Sequence, residues 1–97
     1  MSPQSQQTVK VPATLYPGVF DREYQATINV SGKEIHLTVS EDFVVLGEQP
    51  PTDEGAPGFL KVDVVEMVGD RVVIALPGEV QGATSRATAD RAQLQVA

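Results

Sequence analysis

Residues 24–39 read YQATINV-SG-KEIHLTV, two alternating apolar–polar runs on either side of Ser31-Gly32. Period-two alternation marks a β-strand, because successive side chains of a strand point to opposite faces. A two-residue hairpin loop at Ser31-Gly32 sets Val30 opposite Lys33, Ile28 opposite Ile35, Ala26 opposite Leu37 and Tyr24 opposite Val39. These pairs share one face. The other face carries Asn29 with Glu34, Thr27 with His36 and Gln25 with Thr38. A slip by one residue would turn both sets to the wrong side, so the hydrophobic pattern itself specifies the register.

The same period extends outward from this hairpin. Upstream, Val9, Val11, Ala13 and Leu15 alternate with Lys10, Pro12 and Thr14. This is a first strand, and Pro12, which cannot donate to a ladder, places it at a sheet edge. Tyr16-Pro17-Gly18 then turns the chain. Downstream, Phe43-Val44-Val45-Leu46 reads as a short strand or a packed extended piece. Residues 47–58 (GEQPPTDEGAPG) hold three Pro, three Gly and three acids. That composition predicts a mobile acidic loop.

Phe59–Val68 and Arg71–Leu76 form a second hairpin around Gly69-Asp70, with Gly first as a type II′ turn requires. Its apolar residues change face around Asp63–Val65. A long strand that bends or bulges at a barrel corner has this pattern; a hairpin buried on both faces has it too. Pro77-Gly78 ends the strand. In Ala83–Ala92, Thr84 or Ser85 can cap a short helix and Arg86–Asp90 has i,i+4 spacing, but no apolar stripe supports it. The segment therefore reads as a loop. Ala92, Leu94 and Val96 alternate with Gln93 and Gln95 as a closing strand.

These elements predict an all-β domain over residues 8–97: a small five- or six-stranded barrel, SH3-like in preference to an OB-like barrel or a small sandwich. The expected core is Tyr24, Ala26, Ile28, Ile35, Leu37, Val39, Leu60, Val62, Val64, Ile74, Leu76, Leu94 and Val96. Residues 1–7, polar and uncharged, read as a disordered tail.

Composition narrows the function classes. With no Cys, the chain has no disulfide, thiolate-bound metal or thiol nucleophile. No apolar run approaches the roughly 20 residues of a membrane helix. The start lacks the basic and apolar regions of a signal peptide, so the expected compartment is the cytoplasm. The net charge is −6, and residues 41–54 hold five acids and no basic residue. Lys10, Arg22, Lys33, Lys61, Arg71, Arg86 and Arg91 are scattered. Without a basic stripe the chain has no footprint for a polyanion, which argues against nucleic acid.

Catalytic constellations are sparse. His36 is the sole His. It reads either as a base or ligand or as a solvated residue of the polar face opposite Thr27, and the second reading is preferred. The acid pairs Asp21/Glu23, Glu41/Asp42, Asp53/Glu54 and Asp63/Glu66 read as solvation and turn chemistry. Glycosidase chemistry needs two carboxylates set across a cleft. The acidic loop lacks the calcium-loop spacing, and neither a phosphate-cradling glycine motif nor a nucleophile elbow is present. No enzyme activity, metal or cofactor is expected.

Gly69-Asp70-Arg71-Val72-Val73-Ile74, followed by Gly78 and Gly82, resembles the KOW motif of SH3-like barrels in ribosomal and transcription proteins. The resemblance covers residues 69–82 and implies the barrel. Glu79 stands where such segments are basic, and the glycine spacing differs, so RNA binding is not carried over.

The expected function is a non-catalytic protein-interaction module, with a ribosome- or RNA-associated SH3-like domain as the alternative. Tyr16, Phe20, Arg22 and Glu23, in an aromatic turn with both charge signs, are the candidate interaction surface for a protein partner. The other reading of this turn, and the preferred one, has Phe20 and Tyr24 plugging a barrel end. The apolar residues on both faces of 59–68 also predict a homodimer through an exposed strand edge.

Overall fold

A computed structural model describes residues 7–80 and 85–96. Its strands are β1 (Thr8–Pro17), β2 (Glu23–Val30), β3 (Lys33–Ser40), β4 (Val44–Leu46), β5 (Ala56–Val68), β6 (Arg71–Ala75), β7 (Glu79–Val80), β8 (Arg86–Asp90) and β9 (Gln95–Val96). Two 3-10 turns, Glu41–Phe43 and Arg91–Gln93, complete the elements, and no α-helix occurs among the described residues. The strands form one antiparallel sheet in the order β7-β3-β2-β1-β5-β6-β8, with β4 added to β5 and β9 to β1. The sheet curls into a half-barrel.

The β2–β3 hairpin has the register read from the alternation, from Tyr24 with Val39 to Val30 with Lys33. Ser31 (φ 51) and Gly32 (φ 77) are both in the left-handed region, as a two-residue type I′ turn demands. In the β5–β6 hairpin Gly69 has φ 60. Here Met67 pairs with Val72 and Val64 with Ile74, and the register shifts between Val64 and Glu66. Val65 is thus the extra residue of a β-bulge. The bulge is why the apolar residues of this strand change face, and it decides between the two readings of the hairpin.

Inward-facing residues of five strands meet in one core. Val9, Val11 and Leu15 of β1 join Ala26, Ile28 and Val30 of β2, Ile35, Leu37 and Val39 of β3, Leu60 and Val62 of β5, and Val72 and Ile74 of β6. Each large side chain withdrawn from water there contributes about 1.5–3 kcal/mol. Tyr24, Val64 and Leu94 are half-buried against this core.

Several expectations are corrected. There are nine strands among the described residues, three of them only two or three residues long, where five or six were expected. β1 is not at an edge but lies between β2 and β5. Its pairing with β2 begins at Thr14 and its pairing with β9 ends at Lys10. Pro12 therefore falls in a window with no strand partner on that flank among the described residues, which is how a central strand accommodates it. The acidic loop ends at Gly55, because Ala56, Pro57 and Gly58 continue β5 opposite Leu15, Thr14 and Ala13.

Arg86–Asp90 is not a loop but a strand, paired with all of β6. Its inward residues are Ala87 and Ala89, opposite Ile74 and Val72; two small side chains made no visible apolar stripe. Ala83 and Thr84 lie outside the described residues. The closing strand is only Gln95–Val96, and Val96, 82% exposed, is not in the core: it sits at the sheet margin, beside Val9. β5 lies between β1 and β6, but β1 pairs with it only as far as Asp63, so Val65–Val68 have a strand partner on the β6 side alone among the described residues. Residues 1–6 of the expected tail lie outside the described residues. Gln7 does not belong to such a tail, since its carbonyl accepts the Val64 N–H at 2.8 Å.

Candidate functional site

The chain reversal between β1 and β2 is held by its own backbone. The Gly18 N–H donates to the Glu23 carbonyl at 3.0 Å, and the Glu23 N–H donates back to the Phe20 carbonyl at 3.3 Å. Arg22 has φ 67, a conformation that costs a residue with a Cβ roughly 1–2 kcal/mol. Its carbonyl accepts the Glu41 N–H at 2.7 Å. The Arg22 guanidinium Nε lies 3.8 Å from Glu41 Oε2; between exposed groups such a pair contributes at most about 1 kcal/mol. The 3-10 turn that begins at Glu41 is capped in turn by Ser40, whose Oγ accepts the Asp42 N–H at 3.3 Å.

This pinned turn displays Val19 and Phe20, which are 80% and 70% exposed. They border an open groove of about 440 Å³ whose other walls include Glu23, Gln25, Thr38, Ser40 and Gly78. Phe20 therefore does not plug a barrel end. Of that pair, Tyr24 alone packs on the core.

Of the four expected surface residues, the structure brings Phe20 and Glu23 to one groove. Arg22 sits behind them on Glu41. Tyr16 belongs elsewhere, in a shallow depression of the outer face with Gln25, Thr27 and His36. Val19, Thr38, Ser40 and Gly78 were missed. Two large apolar residues between Gly18 and Asp21, in a turn rather than a strand, were a local signal for Val19. The other three arrive only through tertiary pairing.

His36 stands on the outer face as the register requires. Its Nδ1 is 3.0 Å from Thr27 Oγ1 and its Nε2 is 3.2 Å from Glu34 Oε1. His36 and Glu34 are exposed and Thr27 half-buried on the outer face of the sheet, so the chain of contacts is a cross-strand polar row. The acid pairs take up turn and surface roles. Asp63 accepts a hydrogen bond from Thr8 Oγ1 at 3.0 Å, and Glu54 follows a turn in which its N–H donates to Thr52 Oγ1 at 3.3 Å. No charged or polar side chain is buried among the described residues. Nor do three His, Cys, Asp or Glu side chains converge there as metal ligands. No helix among the described residues is long and apolar enough to cross a membrane.

One further feature lies on the outer face of β1 and β5. Lys10 pairs directly with Lys61, and the Lys10 ammonium stands 4.6 Å from the centre of the Phe59 ring. No protein-family model, curated protein or solved structure matches this chain.

Proposed function

We propose that the protein is a small SH3-like barrel that acts as a non-catalytic protein-interaction module in the cytoplasm. The observation that carries this reading is the Val19-Phe20 tip, two large apolar side chains held out in solvent by a hydrogen-bonded turn. Apolar surface at the tip of a restrained loop is costly to keep and useful for contact. A pre-formed contact loop also loses little entropy on binding. Arg22 in the left-handed region is a cost of the kind that gathers at binding sites. The test is site-specific photo-crosslinking in cells of the source organism, with benzoylphenylalanine at position 20 and, as a control, at Asn29. A protein adduct from position 20 and not from position 29 supports the reading. Equal adducts, or none from position 20, contradict it.

The second reading, an RNA-associated SH3-like domain, is favoured by the Lys10–Lys61 pair beside Phe59. A cationic pair next to an aromatic ring is the minimal unit of a phosphate-and-base contact. A gel shift with bulk RNA at low salt decides it. Salt-sensitive binding tighter than about 100 µM supports RNA, since phosphate contacts weaken as salt rises. No shift removes it.

A further inference from the structure

We infer that the Val19-Phe20 tip and its groove receive an apolar segment flanked by Lys or Arg from another protein. This rests on the interaction reading above and specifies its partner. The tip supplies the apolar contact. Its surroundings are predominantly acidic: Asp21 and Glu23 in the turn, with Glu23 lining the groove, and Glu41 and Asp42 in the 3-10 turn bonded to it. Four carboxylates stand against two cations: Arg22, beside Glu41, and Lys61, which shares a neighbouring hollow with Glu41 and Asp42. The groove walls Gln25, Thr38 and Ser40 are uncharged hydrogen-bonding groups, able to take backbone or side-chain contacts without opposing a cation.

The competing occupants meet this collar badly. A second copy docked tip to tip about a two-fold axis would set acid against acid, because such a contact brings the same patch from both chains together. An anionic membrane or an RNA would face the same repulsion. A cationic, apolar-centred segment gains from both parts of the surface, and its rim charges speed encounter in a salt-dependent way.

The experiment follows the amide resonances of the ¹⁵N-labelled full chain on titration with three synthetic peptides, KKLFKK, EELFEE and KKSSKK. KKLFKK is expected to shift the amides of residues 18–23 and 38–42, with affinity falling several-fold between low and high salt. The other two peptides leave these amides in place. Phe20→Ser is expected to abolish the KKLFKK response, and Asp21→Lys to weaken it; both positions are exposed, and the unshifted remainder of each spectrum reports that the variant is folded. Equal binding of KKLFKK and EELFEE at the tip overturns the charge inference and leaves the interaction reading standing. Shifts elsewhere only, or none, overturn the inference; if position 20 also yields no adduct, the interaction reading falls with it. The same shifts with phosphatidylcholine vesicles would assign the tip to a lipid surface instead and overturn the inference.

Discussion

The carbonyl oxygen of Arg22 accepts the N–H of Glu41 at 2.7 Å, which joins the β1–β2 turn to the 3-10 turn after β3 as one rim. The bond is available because Arg22 adopts φ 67. Glycine takes that conformation without strain and a β-branched residue takes it badly. Arg22→Gly should therefore stay within about 0.5 kcal/mol of the parent, its relief of strain offset by added freedom in the unfolded chain. Arg22→Val should lose about 1–2 kcal/mol. Urea midpoints at constant slope measure both; equal midpoints would contradict the assigned backbone.

Gly78, with φ 70, sits where a Cβ would run into the Thr38 carbonyl oxygen. The close approach docks β7 on β3. Gly32 has φ 77 but nothing within 4 Å of its Cβ position. Gly78→Ala should cost more than about 2 kcal/mol and Gly32→Ala about 1 kcal/mol, the second being a backbone cost alone. Hydrogen exchange along β3 should accelerate in the first variant only. Equal costs would mean that β7 does not seal this edge.

Leu37 and His36 are sequence neighbours on opposite faces. Leu37→Ala should cost about 2–5 kcal/mol, the range for truncating a buried Leu. His36→Ala should cost less than about 0.5 kcal/mol, as exposed changes do. Denaturation curves that ranked them the other way would reverse the hairpin's faces.

The bulge at Val65 accounts for the two-faced apolar pattern of β5 without a second copy. Light scattering from micromolar to millimolar concentration should give the mass of one chain, 10.4 kDa, throughout. Twice that mass would mean that the exposed Val65, Met67 and Val68 are covered by another molecule.

Where one face is apolar and the other polar, the sequence was readable to the residue. Tyr24–Val39 gave its register, and the face change at Asp63–Val65 announced the bulge. Reading failed where the signal was weak or non-local. Ala87 and Ala89 bury little area each, so β8 had no visible stripe. Pro12 argued for an edge strand and Pro57 for a loop, yet both sit in β1–β5 pairs. What tolerates Pro12, a gap between β9 and β2, is a property of the assembled sheet. The candidate site was legible in half: Phe20 and Glu23 were marked by the turn's composition, whereas Thr38, Ser40 and Gly78 come from β3 and the segment leading into β7.

Whether Phe20 is held for contact or for packing is settled by urea denaturation of Phe20→Ala. An exposed contact residue predicts a stability within about 0.5 kcal/mol of the parent. A loss of about 3–5 kcal/mol, the cost of removing a buried Phe, would make Phe20 a core group and contradict the account.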